Sequence, residues 1–162
     1  MTATYIRRGL EPVLGRAAKE FPAVVLTGPR QSGKTTLLKH VFGKTHAYVS
    51  LEPPDVRASA ADDPRGFLEM NPAPVIFDEV RYAPELLPYV KERVDAERAA
   101  RGRYILTGSQ NLLLAERVTE SLAGRACVLR LLPLSRREAC GEAPAAFPWE
   151  KGRKPKVKVK LL

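Results

Sequence analysis

The sequence predicts an α/β fold, a three-layer sandwich around a mostly parallel central sheet, and three observations carry that expectation. Short apolar runs alternate along the chain with amphipathic ones, the pattern of strands joined by crossover helices. The octapeptide Gly28-Pro29-Arg30-Gln31-Ser32-Gly33-Lys34-Thr35 fits G-x-x-x-x-G-K-[ST] and lies between a strand-like and a helix-like run. Pro74-Val75-Ile76-Phe77-Asp78-Glu79 is an apolar run that ends in two carboxylates. A glycine-rich loop between strand and helix, followed by such a strand, is the arrangement of a P-loop NTPase.

Taken in order, the elements are as follows. A helix is expected from about Leu10 to Lys19. Ala23 to Thr27 is apolar and partly β-branched, a buried parallel strand. After the loop, Leu37, Leu38, Val41 and Phe42 recur on one helix face, and Gly43 stands where a left-handed C-terminal cap is expected. Ala47 to Leu51 reads as a strand, and Pro53 and Pro54 as a break. Asp63 and Pro64 read as N-cap and first residue of a short helix. Beyond the strand ending at Asp78, Ala83 to Ala100 reads as a longer helix with Leu86, Leu87, Val90 and Val94 on one face, and Pro88 is expected to remove a hydrogen bond in its first turn. Tyr104 to Ser109 is a further strand, Leu112 to Leu122 a helix and Ala126 to Leu132 a last strand. Past Pro133 the pattern fades, and no internal repeat is visible.

The loop residues have physical reasons for their types. Gly28 and Gly33 free the backbone to aim successive N–H groups at phosphate oxygens, where the following helix adds its positive end. Pro29, Arg30, Gln31, Ser32 and Thr36 complete the candidate cofactor-binding set. Lys34 is expected on the β- and γ-phosphates, and the Thr35 hydroxyl on Mg²⁺ with Asp78. Glu79 is the candidate general base for the attacking water. A glutamate next to the metal carboxylate favours ATP over GTP, since switch-type GTPases position water by another route. Ser109, with Gln110 or Asn111 as alternates, stands at the sheet edge where ligands bind and is the candidate γ-phosphate sensor; a turn followed by a helix N-cap is the competing reading of those residues.

These pieces resemble the prokaryotic AAA-family ATPases that carry a C-terminal domain of unknown function. The resemblance runs from Tyr5-Ile6-Arg7-Arg8 through Phe21-Pro22-Ala23, the loop, Tyr48-Val49-Ser50-Leu51-Glu52, Asp63-Pro64-Arg65-Gly66-Phe67-Leu68, Val75 to Glu79, Pro84-Glu85-Leu86-Leu87 and Tyr104 to Gln110. It finishes with Glu120-Ser121-Leu122-Ala123-Gly124-Arg125 and Leu132-Pro133-Leu134-Ser135. It implies a cytoplasmic, Mg²⁺-dependent ATPase with an undefined protein client. It also implies that the loop strand and the strand ending at Asp78 flank the Tyr104 strand. Position 81, usually an amide in such sequences, is Arg81 here, a cation beside the water site that could tune or impair hydrolysis. Resemblance to oligomeric ATPases suggests a homo-oligomer in which Arg125 supplies a cation to the γ-phosphate in trans; capping or solvating the start of the last strand is the other use open to it. Residues 1–140 are expected to form the ATP-binding domain. With the family's second domain absent, the alternative function is a nucleotide-dependent binding or regulatory module, or a truncated fragment, with little hydrolysis.

Composition agrees with one domain of 162 residues and an ordinary apolar share of 44%. No stretch approaches a membrane span, and the N-terminus has no apolar signal-peptide core. Cys127, Cys140, His40 and His46 have neither framework nor ligand spacing. Most of the net charge of +9 comes from Lys151, Arg153, Lys154, Lys156, Lys158 and Lys160 in a tail, 141–162, that is Pro/Ala-rich and then Lys-rich. The stretch 151–162 can hold phosphate backbones weakly and without sequence preference, but with no aromatic of its own to stack on bases it reads first as a solvated, disordered end.

Overall fold

A computed structural model describes residues 5–109 and 121–142. Among them α1 (Glu11–Glu20), β1 (Ala23–Gly28), α2 (Lys34–Phe42), β2 (Ala47–Ser50), α3 (Pro54–Asp62), α4 (Pro64–Met70), β3 (Val75–Asp78), α5 (Leu86–Ala96), β4 (Tyr104–Ser109), β5 (Ala126–Arg130) and α6 (Arg136–Ala139) follow one another, with a 3₁₀ turn at Val80–Tyr82. The five strands form one sheet in the order β2-β3-β4-β1-β5, and every pairing is parallel. β4 therefore lies between the loop strand and the strand ending at Asp78, as the resemblance implied.

Helices cover both faces because successive strand residues point to opposite sides. Val24, Leu26, Ile76 and Ile105 pack with Leu14, Leu37 and Leu38 of α1 and α2. Val25, Phe77 and Leu106 pack with Phe67, Leu86, Leu87 and Val90 of α4 and α5. Leu37 and Leu38 are fully buried, each contributing roughly 2 kcal/mol of transfer free energy. Their burial anchors α2 and so fixes where its first turn, the end of the phosphate loop, sits.

Several boundaries differ from the sequence expectation. Gly43 has φ −61° and is right-handed; the chain turns instead through the Phe42 carbonyl, which accepts from the Thr45 and His46 N–H groups at 2.9 Å each. Pro53 and Pro54 do not break the structure. Pro54 opens α3, where a missing N–H has no intrahelical acceptor to lose. For the same reason Pro88, third residue of α5, removes no helical hydrogen bond. α5 starts later than expected, because Val80 to Ala83 close 3₁₀-type turns first, and it ends at Ala96 rather than Ala100. β5 ends at Arg130. Beyond Pro133, Ser135 and Glu138 form a capping box on α6. The helix expected at Leu112 to Leu122 lies almost wholly outside the described residues, as do Gln110, Asn111 and all but the start of the 141–162 tail. Among the described residues no helix is long and apolar enough to cross a membrane.

Candidate nucleotide-binding site

The C-terminal edge of the sheet gathers the ends of β1, β3 and β4, whose loops carry most of the expected residues. The loop after β1 needs its glycines. Gly28 has φ 154° and Gly33 φ 87°, and a Cβ at Gly28 would run into the Leu131 carbonyl oxygen, where the chain leaves β5. Gln31, with no such freedom, is held at φ 60°, a strained setting of the sort found in ligand-gripping loops.

Lys34 is buried, and its Nζ donates to the Gly28 and Pro29 carbonyls at 3.1 and 3.0 Å. No carboxylate pairs with it among the described residues' ion pairs. Ser32 Oγ is buried and has no hydrogen-bond partner among the described residues. The loop thus holds a desolvated cation and an orphan hydroxyl, each short of an anionic or polar partner.

Asp78, at the end of β3, is the hub facing the loop. Its Oδ2 accepts from Thr35 Oγ1 at 2.8 Å and from the Tyr48 hydroxyl at 2.5 Å, and its Oδ1 accepts from Thr107 Oγ1. Burial and then the bond to Asp78 push the Tyr48 phenol well above its ordinary pKa, so it stays a donor. Thr107 is fully buried and also accepts the Glu79 backbone N–H at 3.1 Å. Glu79 itself is left-handed at φ 58°, ψ 50°. Its Oε2 accepts from Arg81 Nε at 2.9 Å and from the Ser109 backbone N–H at 3.2 Å. Arg81 also donates to the Tyr82 hydroxyl at 2.7 Å and lies over that ring at 4.4 Å.

Beside the loop, a cleft of about 340 Å³ is lined by Tyr5, Ile6, Arg8, Gln31, Gly33, Thr36 and Leu134, among others. Arg8, Tyr48, Thr107 and Glu138 were given no site role from sequence. Only Glu138 had a local signal, the S-x-x-E box that it forms with Ser135. Its carboxylate accepts from Ser135 N at 2.7 Å and Gly9 N at 2.8 Å. Burial alone would raise its pKa, yet these N–H groups outweigh burial and lower it from an ordinary 4.5 to about 2. A carboxylate depressed on folding stabilises fully above its unfolded pKa and loses that contribution as pH falls through the folded one. Glu138→Gln should therefore flatten the loss of stability between about pH 4.5 and 2, read as urea midpoints across that window; an unchanged acid limb would refute it.

Arg125 lies elsewhere. It precedes β5 at the opposite edge of the sheet from the loop, and its guanidinium grips Asp95 of α5 through Nε at 2.6 Å and Nη2 at 3.1 Å. In its own chain it does not reach the phosphate loop, and the bidentate pair gives it a structural occupation. The hydrogen bond to Arg125 holds the half-buried Asp95 below the usual carboxylate range. Cys127 and Cys140 are free thiols, and His46 bonds the Gly102 carbonyl at 2.7 Å. Among the described residues no group of three His, Cys, Asp or Glu could hold a metal ion.

A family model for an AAA domain matches residues 20–140. Two uncharacterized proteins, of Mycobacterium bovis and Mycobacterium tuberculosis, are each 34% identical over 150 residues, covering 92% of this chain and 33% of theirs. The chain thus spans about a third of the length of the curated relatives it matches. Among solved structures, a Walker-type ATPase of Pyrococcus abyssi is similar with a TM-score of 0.60 and 19% identity over 83% of this chain and 55% of that one. A DNA replication initiation factor is similar with a TM-score of 0.51 and 11% identity, over 80% and 46% of the two chains. At those identities the two structures speak for the fold. The family match runs through both the loop and the carboxylate strand, and the chain belongs to the AAA-domain family.

Proposed function

We propose that the chain binds ATP with Mg²⁺ and hydrolyses it to ADP and phosphate, in the service of a client that its own residues do not name. The observation that carries this is Lys34: a buried ammonium whose partners among the described residues are two carbonyls is costly without an anion, and a triphosphate supplies one. The orphan Ser32 hydroxyl adds a donor in the same loop. Thr35 and Asp78, already in contact, fit Mg²⁺, which takes one or two protein oxygens and keeps the rest for water and phosphate. When bound, the ion would neutralise charge on the phosphates.

Within this reading Tyr48 and Thr107 fix the Asp78 carboxylate from two sides, and Lys34 turns from its carbonyls to the β- and γ-phosphates. Glu79 accepts a proton from the water whose oxygen adds to the γ-phosphorus, and the bond to the β-phosphate oxygen breaks to release ADP. Ser109, whose N–H already touches Glu79, is the candidate to sense the γ-phosphate. The neighbouring cleft, with Ile6 and Leu134 on its walls, is suited to the nucleoside. Residues 1–140 serve as the ATP-binding domain, with homo-oligomerisation and any action of Arg125 in trans resting on the family resemblance alone.

One observation favours the second reading, a nucleotide-dependent binding module with feeble hydrolysis: Arg81 donates to one of the two carboxylate oxygens of Glu79, the candidate base. Multiple-turnover phosphate release separates the two. Arg81→Ala should raise turnover by about twofold to fivefold, the scale of freeing one partly exposed ion pair, with ATP affinity unchanged. Equal rates in both proteins would mean that Arg81 does not restrain Glu79, and no phosphate release from either would leave the binding module as the function.

A further inference from the structure

Arg8 is a buried charged side chain that the proposed chemistry does not use. Its Nη1 donates to the Ser32 carbonyl at 2.7 Å, its Nη2 to the Leu132 carbonyl at 2.6 Å and its Nε to Glu138 Oε1 at 3.2 Å. The side chain is 6% exposed. One guanidinium therefore joins the N-terminal segment to the phosphate loop, to the exit from β5 and to α6. We propose that Arg8 is a positioning residue of the phosphate loop and that, through Glu138, it couples nucleotide binding to the seating of α6. This rests on reading the loop as an ATP site.

The argument begins with the peptide between Ser32 and Gly33. A phosphate loop works when its N–H groups face inward, which turns the corresponding carbonyls outward, where each needs a donor. The Ser32 carbonyl finds Arg8. A cation on that oxygen fixes the peptide plane and polarises it, making the Gly33 N–H on its far side a stronger donor toward a phosphate. Arg8 keeps this orientation only while its other nitrogens are held. Glu138 holds Nε and, with the same oxygen, accepts the Gly9 N–H; its second oxygen closes the capping box on Ser135. Seating of α6 and orientation of the Ser32 peptide therefore depend on one rotamer. By linkage, whatever a seated α6 adds to phosphate affinity, bound phosphate adds to the seating of α6.

A purely structural ion pair would also be buried, so the test needs a readout that such a role leaves alone. The full chain is titrated with a fluorescent ATP analogue, and amide hydrogen exchange of Arg136 to Cys140 is followed with and without saturating ATP, in wild type, Arg8→Lys and Glu138→Gln. In the wild type ATP should slow exchange in α6 by about fivefold, the lower end of typical coupling. Arg8→Lys keeps the charge but loses the fork, and should weaken binding by roughly tenfold, as for one charge-assisted hydrogen bond. Glu138→Gln should weaken it less and abolish the ATP-dependent slowing. Should Arg8→Lys fail to fold, judged by its thermal transition without nucleotide, loss of the slowing in Glu138→Gln carries the test. A folded Arg8→Lys with wild-type affinity, or wild-type exchange indifferent to bound ATP, overturns this inference alone. A wild-type chain that does not bind the analogue overturns the nucleotide reading and this inference with it.

Discussion

Glu79→Gln is expected to lower multiple-turnover phosphate release by about 10² to 10⁴-fold, the range for a lost general base, while ATP affinity stays at the wild-type level. The substitution is isosteric, and the amide oxygen can still accept from Arg81 Nε or the Ser109 N–H, so the neighbourhood keeps its shape. The backbone N–H of residue 79 still reaches Thr107 Oγ1, and Asp78 keeps all three of its hydroxyl donors. What disappears is the capacity to take a proton from water. Phosphate release measured beside analogue titration separates chemistry from binding. A glutamine variant that turns over at the wild-type rate would show that Glu79 is not the base.

Lys34→Ala is expected to weaken ATP binding by about 10² to 10⁴-fold, because charge-assisted hydrogen bonds to two phosphates are each worth roughly 1.5–3 kcal/mol. No other loop cation takes over. Arg30 sits early in the loop and is exposed, and Arg8 is already committed to three partners. The unliganded protein should tolerate the change well. Removing a buried ammonium that has no carboxylate partner among the described residues relieves a desolvation penalty, and this offsets the missing hydrogen bonds to the Gly28 and Pro29 carbonyls. Thermal transitions of both proteins, without and then with ATP, check this: near-equal midpoints without nucleotide, and a rise with ATP in the wild type only. Equal affinity in the two proteins would remove Lys34 from the site.

The strands and the loop were legible in the sequence for a reason specific to this architecture. Strands covered on both faces need unbroken apolar runs, and Val75 to Phe77 and Tyr104 to Leu106 supply them. The loop is written in glycines because its close approach to Leu131 leaves no room for a Cβ at Gly28. α3 was hidden because Pro53-Pro54 reads as a stop when it is a start. α6 was hidden because four residues carry no periodicity, leaving only the Ser135 and Glu138 box to announce them. Arg8 was illegible in a stronger sense. Nothing local separates it from the other cations of the chain; its burial is decided by Ser32, Leu132 and Glu138, which only the fold brings near. Tyr48 and Thr107 are alike in this, since a polar residue inside an apolar strand gains meaning only from the carboxylate on the neighbouring strand. Arg125 was the converse case: a residue proposed for chemistry whose nearest carboxylate, Asp95, gives it a plain structural task.

The order of strands also sets a timetable for synthesis. Ala23 of β1 pairs with Tyr104 on one side and with Ala126 on the other. A ribosome adds about 5–20 residues per second, so β1 and its loop emerge early and wait, both edges bare, for partners that begin about 80 residues later at Tyr104. An apolar strand with open edges invites pairing with other chains, which makes this interval the hazardous part of biogenesis. The phosphate loop and the Asp78 carboxylate come together only when β4 slots between β1 and β3. A nascent chain halted before Tyr104 would display the whole glycine loop and yet lack the assembled site, so under the proposed function ATP capture marks the insertion of β4 during translation.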